Sequence, residues 1–600
     1  MNRCVDMDTY DKVIDLAKRR GFLWNSFELY GGAAGFFDYG PNGCTVKRHI
    51  EDTWRKFYVV REGYMEIECP TVGIEDIFIA SGHVGGFSDP LCECLSCHQA
   101  FRADHLVEGA GIENAGGYSL KELDDAVLKF GIKCPECGGD LAPAYEFNLM
   151  FKTTIGPGNG RQGYMRPETA QGMFVDFQRL SRYYRDKLPF GACQIGKSYR
   201  NEISPRQGVL RLREFTQAEC EIFVDPSKKT HPRFDRYAET LLTLYPQAQQ
   251  EDPEGKPVQM KVGDAVRDGI IAHEFLAYYV SLTNEFLQRV GIRGDRLRFR
   301  QHMKDEMAHY AADCWDAEVL TDRFGWVEVV GIADRTTYDL KAHAAQSKIE
   351  LSVYVEYPEP RFVTSFVVKP DMGKLGPLFK GKAKLIGDTL KGMTHDQIEA
   401  AVKDGMITIT VDGAPVEVPH DIITYGEETV KVSGETIIPH VIEPSYGIDR
   451  ITYCVLEHAF EEESLPGSAE STGAEDAEEA EESEGRTVLH LKGEIAPFQV
   501  SVLPLMGKPQ LSAVATEIHD NFVHAGIMAD YDEAGTIGKR YRRNDEIGIP
   551  YSVTVDFDTL EDRTVTIRDR DSMKQIRAPI SRLNDIIRDL ISGNARFEDL

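Results

Sequence analysis

The sequence predicts a multidomain protein of the α+β class, and three observations support this fold class. The chain has 600 residues, so roughly three or four domains of common size are expected. Residues 196–221 have the pattern of two polar strands joined by a loop that contains Ser204, Pro205 and Gly208. From Ala496 onwards, short β-type runs alternate with helical runs, which indicates a separate α/β domain.

Composition narrows the class of protein. No run of about 18 apolar residues is present, so no membrane-spanning helix is expected. Residues 1–6 lack the apolar core of a signal peptide, and a cytoplasmic location is therefore expected. The twelve cysteines, several in Cys-x-x-Cys pairs, favour metal ligation in a reducing compartment over disulfides. With a formal net charge of −29, any RNA binding must depend on local basic patches.

The two polar strands indicate a nucleotide site. They are predicted over 195–202 and 212–223, so Arg200 and Glu202 share one face of the first strand. Four residues share one face of the second strand: Phe215, Gln217, Glu219 and Glu221. A guanidinium group binds phosphate oxygens in pairs and a phenyl ring stacks on a flat base, so this pattern suits a nucleotide polyphosphate. The alternative is a charged hairpin that faces solvent.

Three stretches together resemble the signature motifs of the class II aminoacyl-tRNA synthetases. Arg200-x-Glu202 followed by Arg-Glu-Phe-x-Gln-x-Glu at 213–219 resembles the second motif. A helix predicted over 46–62, with a strand that ends at Pro70, resembles the first, and Glu443 to Arg450 resembles the third. The strings at 36–41, 166–172 and 325–335 narrow the resemblance to the glycyl-tRNA synthetases of the archaeal and eukaryotic type.

This resemblance implies an antiparallel-sheet catalytic domain with a zinc-ribbon-like and a basic insertion, followed by a C-terminal α/β anticodon-binding domain. The first motif forms the dimer interface in this family, so a homodimer is expected. The expected segments are 1–90 (N-terminal helix and motif one), 91–145 (zinc-binding insertion), 146–355 (catalytic domain with motif two), 356–440 (inserted module), 441–460 (motif three), 461–486 (disordered acidic insertion) and 487–600 (anticodon-binding domain).

The family's reaction has two steps, ATP-dependent formation of glycyl-adenylate and transfer of glycine to tRNA(Gly), with side synthesis of diadenosine tetraphosphate also implied. Arg200, Glu202 and Arg450 are the expected catalytic residues. Because the reaction brings two anions together, these groups act by orientation and charge stabilisation. The expected ATP-binding residues are Arg200, Asn201, Glu202, Leu210, Arg211, Phe215, Glu328, Val329, Gly447 and Arg450, with Glu328 holding Mg²⁺.

Glycine offers no side chain to recognise, so the pocket must bind its ammonium group and exclude larger amino acids by overlap. An added methylene is worth only about 1–3 kcal/mol to an accommodating pocket. We expect a rigid wall to reject it more strongly, without an editing domain. The expected glycine-binding residues are Arg102, Glu168, Phe215, Gln217, Glu219, Glu443 and Ser445.

Two Cys-x-x-Cys pairs favour a structural zinc site with four thiolate ligands. The expected ligands are Cys94, Cys97, Cys134 and Cys137, and Cys92 could replace one of them. The alternative is two unrelated redox or free-thiol pairs.

Further strands and charges lead to more specific expectations. Residues 147–155 and 163–168 are predicted to be central strands, and Glu328 is expected as a lone acid in the apolar strand 326–330. In motif three, Asp449 stands where the class usually has its second glycine, and it either points away from Arg450 or tunes it.

Basic clusters are candidates for RNA contact. The lysines of 369–374 and 380–384 are expected to contact the tRNA acceptor stem, or else to form a solvated loop. Residues 539–543, Arg568 and Arg570 are expected to bind anticodon phosphates and bases, or else to be helix-surface charge.

Two other functions remain open at this point. One is a prolyl or threonyl synthetase, which the acidic glycine pocket disfavours. The other is a non-catalytic nucleic-acid-binding paralogue, which the presence of Arg200, Glu202, Arg211 and Arg450 disfavours.

Overall fold

A computed structural model describes residues 7–112, 114–205, 207–304, 306–307, 311–463 and 485–600. The chain forms two compact units, Met1–Leu351 with Ile438–Leu600 and, separately, Ser352–Ile437. Most of the predicted disordered insertion, 461–486, lies outside the described residues, but its two ends are strands that pair with each other, Phe460–Glu463 and Arg486–Leu489. Within the described part of the chain, no helix has the length and apolar character needed to cross a membrane.

The first unit is built on a central sheet of nine strands. The strands are β1 (Met65–Glu66), β2 (Phe190–Tyr199), β3 (Glu214–Val224), β4 (Leu241–Tyr245), β5 (Val258–Lys261), β6 (Leu297–Gln301), β7 (Asp313–Thr321), β8 (Gly325–Thr336) and β9 (His440–Gly447). In spatial order they run β5-β4-β6-β7-β8-β9-β3-β2-β1, and only the pairs β1–β2 and β4–β6 are parallel. The antiparallel sheet predicted by the resemblance is therefore confirmed.

The two faces of the central sheet differ in chemistry because side chains alternate along each strand. On β3, Ala218, Cys220 and Ile222 join the main hydrophobic core. The helix Glu274–Val290 contributes twelve buried residues to this unit. The intervening residues of β3, Gln217, Glu219 and Glu221, are therefore placed on the opposite face, away from this core.

Two strand predictions are wrong in detail. β2 ends at Tyr199, so Arg200 and Glu202 follow the strand instead of lying on it. The backbone leaves the ladder there because Asn201 N–H donates to Leu149 O at 2.6 Å. The strands predicted near 147–155 and 163–168 do not belong to the central sheet. They form parts of two three-stranded sheets, Val72–Ile74 with Lys152–Ile155 and Arg161–Met165, and Ser88–Glu93 with Ala100–Arg102 and Tyr145–Asn148.

The two helices predicted for the N-terminus and for motif one are both present. The helix Thr9–Arg19 is capped by Asp8, whose carboxylate accepts from Asp11 N–H at 3.0 Å. The motif-one helix is Pro41–Arg55, which continues as a π-helical turn over Lys56–Arg61 and therefore starts earlier than predicted. The other α-helices here are Glu75–Ala80, His83–Gly86, Ala103–Gly109, Leu120–Phe130, Ala170–Val175, Phe177–Tyr183, Gln247–Glu251, Val262–Arg267, Glu274–Val290, Tyr338–Ser347 and Ile448–Ala459.

The second unit has a hydrophobic core of its own, with Leu375, Ile386 and Ile407 fully buried. Its long strands Val353–Pro370 and Ile423–Ile437 pair antiparallel, and a smaller sheet comprises Val402–Lys403, Met406–Val411 and Ala414–Pro419. The helices are Met372–Phe379, Ala383–Lys391 and His395–Ala401.

The C-terminal residues form the predicted α/β domain. Its five strands are β10 (Val500–Pro504), β11 (Ala529–Tyr531), β12 (Tyr551–Val555), β13 (Thr564–Asp569) and β14 (Gln575–Pro579), in the order β11-β10-β12-β13-β14. The helices are Pro509–His524, Ile537–Ile547, Phe557–Asp562 and Leu583–Ser592.

Three arginines of this domain are structural, so the expectation that they contact RNA is wrong. Arg540 is fully buried and donates to the carbonyls of Pro504 and Leu505 at 2.5 and 3.0 Å. Arg570 is 3% exposed and donates to the carbonyl of Gly548 at 2.8 Å. Arg568 is buried too and lies 2.9 Å from Asp545. Short spacing in the sequence does not distinguish such buried cations from surface ones.

Asp545 should be important for the stability of the C-terminal domain. Its buried carboxylate pairs with two buried guanidinium groups, those of Arg486 (3.0 Å) and Arg568 (2.9 Å). Asp545→Ala would leave both cations without this partner, and we expect the free energy of unfolding to fall by about 3–5 kcal/mol. Calorimetry should show a lower unfolding midpoint for this domain, whereas exposed Glu561→Ala should leave it unchanged. Equal midpoints for the two variants would contradict the assignment.

Candidate active site

A cleft on the polar face of the central sheet collects most of the predicted nucleotide-binding residues. Of the ten expected ATP-binding residues, nine line this cleft and Asn201 does not. The strand registers explain why these residues lie close together. β9 lies between β3 and β8, and its Ser445 is paired with both Glu219 and Gly331. The lining residues are Arg200, Glu202, Val209, Leu210, Arg211, Leu212, Phe215, Thr216, Gln217, Glu328, Val329, Gly331, Ser445, Gly447, Asp449 and Arg450.

Three guanidinium groups reach this cleft, and each is oriented by neighbouring groups. The carbon of the Arg200 guanidinium lies 5.3 Å from the ring centre of Phe215 and 5.5 Å from that of Phe87. Arg211 Nε donates to Glu202 Oε2 at 2.7 Å. Arg450 donates to the carbonyls of Leu210 and Glu328 at 3.0 and 2.8 Å. Such orientation favours binding of several phosphate oxygens at once.

Glu328 is not the buried acid that the apolar strand predicts. Its side chain is 54% exposed and lies 3.7 Å from Arg450 Nη1. A register shift in the facing strand β7, between Ala317 and Glu318, interrupts the pairing beside it. The carboxylate is therefore available at the edge of the cleft.

Asp449 points away from the Arg450 guanidinium, which decides between the two alternatives. Its Oδ1 accepts from Tyr39 at 2.6 Å and lies 3.1 Å from Lys47 Nζ, while Oδ2 accepts from Thr216 N–H at 2.5 Å. Burial disfavours the charged form, but Lys47 and Lys197 outweigh it and hold the pKa of Asp449 below its usual value. Asp449 thus attaches motif three to motif two and to the motif-one helix.

Beside the cleft, the predicted acidic residues Glu168, Glu219 and Glu443 come together. Glu219 Oε2 accepts from the backbone N–H of Thr169 at 2.9 Å and from its hydroxyl. Glu219 Oε1 accepts from Ser445 Oγ at 2.6 Å. Gln217 Nε2 also donates to Oε1, at 3.0 Å. These contacts fix one carboxylate rigidly in the floor of the site.

Arg335 occupies the centre of this acidic group, and sequence reasoning missed it. Its Nη1 donates to both oxygens of Glu443 at 2.8 and 2.9 Å. Nε and Nη2 donate to Asp339 at 2.8 and 3.0 Å, and Nη2 lies 3.8 Å from Glu168. The sequence does contain a signal for it. Arg335 lies near the end of a strand, and Asp339, four residues later, lies on the helix that follows.

The carboxylates in this group have different proton affinities. Burial raises the pKa of Glu219, and the charge of Glu168 adds to this effect. Burial raises the pKa of Glu443 to about 7, although Arg335 opposes the shift. For Glu168, burial also favours the neutral form, but His83 and Arg335 outweigh it and lower the pKa. The group is therefore only partly ionised near neutral pH.

Two further charged residues lie outside the lining of the cleft. Arg102 pairs with Asp104 at 3.0 Å and with Asp89 at 3.1 Å, and its expected contact with glycine stays a prediction. Glu221 is fully buried next to Glu219 and Glu443, and its two oxygens have no hydrogen-bond partner among the described residues. Burial, reinforced by Glu443, raises the pKa of Glu221 well above its usual range.

The four predicted cysteine ligands form one cluster, with all four sulfur atoms within 4.8 Å of one another. Cys94 and Cys137 are 3.5 Å apart, and Cys97 and Cys134 are 3.6 Å apart. Cys92 is instead buried in the adjacent apolar core, with its sulfur 3.8 Å from Phe101 O.

Comparisons with curated proteins identify the family. The chain is 56% identical to a glycine–tRNA ligase of Methanothrix thermoacetophila, over 99% of both chains. It is 49% identical to a glycine–tRNA ligase of Methanocaldococcus jannaschii, over 98% of this chain and 99% of that one. The chain belongs to the glycine–tRNA ligase family.

Domain models and solved structures agree with this family. Residues 151–260 match the class II tRNA synthetase core domain (G, H, P, S and T), and residues 499–590 match an anticodon-binding domain. A prolyl-tRNA synthetase from Giardia lamblia, solved with prolyl-adenylate, has a TM-score of 0.51 at 12% identity and covers 98% of this chain and 79% of that one. A prolyl-tRNA synthetase from Cryptosporidium parvum has a TM-score of 0.50 at 12% identity, covering 97% and 75%. These two structures support the fold of this glycine–tRNA ligase family member.

Glu443 gives a pH-dependent test of the acidic group. Its pKa of about 7 lies above the ordinary value of 4.5, so the folded chain binds a proton that the unfolded chain releases in this window. Stability contributed by Glu443 is therefore present below about pH 4.5 and lost as the pH rises to about 7. Glu443→Gln removes this titration, so its unfolding midpoint should rise relative to the wild type across the same window.

The matched control for this prediction is Glu561→Gln, because Glu561 is exposed on the surface of the C-terminal domain. Its midpoint should differ from that of the wild type by the same amount at every pH. A constant difference for Glu443→Gln as well would show that folding does not raise the pKa of Glu443.

Proposed function

We propose that this protein ligates glycine to tRNA(Gly) in two steps, first forming glycyl-adenylate from glycine and ATP and then transferring glycine to the tRNA 3′ end. The observation that supports this most directly is the position of the acidic group around Arg335 beside a cleft that contains three guanidinium groups. An anionic pocket suits an ammonium group, and the arginines suit the phosphates of ATP. Two similar glycine–tRNA ligases match this chain over nearly its full length.

In the first step, the main task of the site is to bring the glycine carboxylate against the α-phosphate. Arg200 would contact both anions, while Arg211 and Arg450 would hold the outer phosphates. Phe215 would stack on adenine, and Glu202 would accept from the adenine amino group. Glu328, exposed beside Arg450, would bind the Mg²⁺ that accompanies ATP. Catalysis then rests on orientation and on charge stabilisation by fixed cations.

Glycine recognition would combine charge with rigid walls. Glu168 and Glu219 would bind the ammonium group, with Glu443 held nearby by Arg335. Thr169, Ser445 and Gln217 all donate to Glu219, which limits their movement. A side chain larger than hydrogen would meet these fixed groups. We propose that this overlap, rather than editing, excludes alanine.

The cysteine cluster fits a structural zinc ion. The sulfur separations of 3.5 and 3.6 Å match the edge of a tetrahedron with Zn–S bonds of about 2.3 Å. Gly139 is needed beside it, because a Cβ there would lie 2.6 Å from Ser96 Oγ and 3.1 Å from Cys94 Sγ. The N–H of Cys97 is the largest of the causes that lower the pKa of Cys94 to about 6, which favours the thiolate. Cys94, Cys97, Cys134 and Cys137 would hold the ion and tie the insertion together.

Assembly and tRNA contacts are further parts of the proposal. We propose a homodimer through motif one, because large apolar side chains near that helix are exposed, among them Phe27, Leu29, Tyr30 and Val60. The lysines of 369–384 would contact the acceptor stem, and the C-terminal domain would bind the anticodon. The free thiols of the described cysteines suit a reducing cytoplasm.

Glycine-dependent exchange between ATP and pyrophosphate tests the first step. We expect exchange with glycine and not with alanine, proline or threonine. Arg200→Ala should reduce it by at least about 100-fold, the size expected for loss of a preorganised charge contact. The control is Arg179→Ala, because Arg179 is a surface residue that pairs with Asp176 away from the cleft. Exchange with proline or threonine would contradict the assignment of the acidic pocket, and no exchange with any amino acid would favour a non-catalytic paralogue.

Zinc analysis tests the cysteine cluster. Mass spectrometry of the purified protein should find one zinc per chain, and Cys97→Ser should lose it because three thiolates bind less tightly than four. Cys44→Ser is the matched control, since Cys44 is exposed and distant in sequence. If the wild-type protein without zinc unfolds at the same midpoint as the protein with zinc, the structural zinc site is contradicted. The cysteines would then be two unrelated redox or free-thiol pairs.

A further inference from the structure

His83 lies beside one of the two groups that would flank the reacting carbon and one aromatic ring away from the other, and it takes no direct part in the proposed activation step. Its Nε2 is 3.6 Å from Glu168 Oε2, the carboxylate proposed for the ammonium group. Its ring packs at 5.3 Å against Phe87, which also contacts the guanidinium of Arg200, proposed for the α-phosphate. The carbonyl carbon of an aminoacyl-adenylate joins an ammonium-bearing carbon to the α-phosphate, so it would lie within this span.

The local structure holds the imidazole in a defined orientation. His83 follows Gly82, whose φ of +83° is a left-handed turn that glycine adopts without strain. Phe78 packs edge-on against the ring, and Asn148 Nδ2 donates to the His83 carbonyl at 3.0 Å. The side chain is 13% exposed, so the ring is supported but still accessible.

Hydrogen bonding favours a tautomer with a basic Nε2. His83 Nδ1 lies 2.7 Å from Ser81 Oγ, and the Ser81 hydroxyl is oriented towards the Phe78 carbonyl at 3.5 Å. If Ser81 donates to that carbonyl, it accepts from Nδ1–H and leaves the lone pair on Nε2. Nε2 lies 3.6 Å from Glu168 Oε2, beyond the usual hydrogen-bond distance. The Glu168 charge would then stabilise the imidazolium that forms.

We propose that His83 is the general base of the transfer step, a role that rests on the proposed function. The ribose hydroxyl oxygen of the terminal tRNA nucleotide forms a bond to the glycyl carbonyl carbon. The bond from that carbon to the phosphate oxygen breaks, and AMP leaves with the electron pair. The hydroxyl proton passes to His83 Nε2, which later releases it to water. Arg200, across Phe87, and Arg335, beyond Glu168, are cations that the mechanism must accommodate.

The test separates the two steps of the reaction. His83→Asn keeps an amide N–H that can donate to Ser81 but has no nitrogen in the place of Nε2. Glycyl-adenylate is formed on the enzyme and mixed with tRNA(Gly) in a single-turnover rapid-quench experiment. We expect transfer to fall by roughly 100-fold or more, the usual size of general-base catalysis. Exchange between ATP and pyrophosphate should fall far less than transfer, since His83 affects that step only through its contact with Glu168.

A second variant and a rescue experiment distinguish a base from a structural support. Ser81→Ala removes the acceptor for Nδ1–H and should slow transfer less than His83→Asn does. Added imidazole should partly restore transfer to His83→Gly. Unchanged transfer in His83→Asn would overturn the proposal, and so would an equal loss of exchange activity, which would assign His83 to glycine binding. Absence of exchange in the wild type would instead contradict the proposed function.

Discussion

The guanidinium group of Arg335 lies among the carboxylates of Glu168, Asp339 and Glu443, and the arrangement of the active site depends on these contacts. Carboxylates buried together repel one another and lose hydration, so they must either share a cation or stay partly protonated. Arginine suits this position because it keeps its charge and offers donors in several directions within one plane. Here Nη1 is directed to Glu443, while Nε and Nη2 are directed to Asp339. A lysine ammonium could not make both paired contacts.

The central sheet brings these residues together because its neighbouring strands come from distant parts of the chain. Glu219 lies on β3, Ser445 on β9 and Gly331 on β8, yet the registers align all three across adjacent strands. Apolar side chains on the other face of β3 enter a core with fully buried aromatic residues, among them Trp54 and Tyr446. That core fixes the strands in position. A substitution on the polar face can therefore change the chemistry of the site without moving the strands.

Sequence patterns predicted the residues of single motifs better than contacts between motifs. Arg200, Phe215 and Arg450 were placed at the cleft because their spacing within each motif resembles a known family. Arg335 was missed because its partner Glu443 is 108 positions away, and its local partner Asp339 does not by itself show that the arginine is buried. The same limit explains the error at Arg540, which lies in a basic run but is fully buried. Burial depends on tertiary packing, and charge patterns alone do not report it.

The incomplete ionisation of the acidic group bears on how glycine could be selected. With a pKa of about 7, Glu443 is partly protonated near neutral pH, and an incoming ammonium group would promote its ionisation, so a neutral ligand gains much less. Charge cannot, however, distinguish glycine from alanine, because both have the same ammonium and carboxylate groups. That distinction has to come from shape. Glu219 connects the two requirements, since the carboxylate proposed to bind the ammonium group also accepts hydrogen bonds from Thr169 and Ser445. Those bonds hold the neighbouring side chains in place, which is the rigidity that the proposed exclusion of alanine requires.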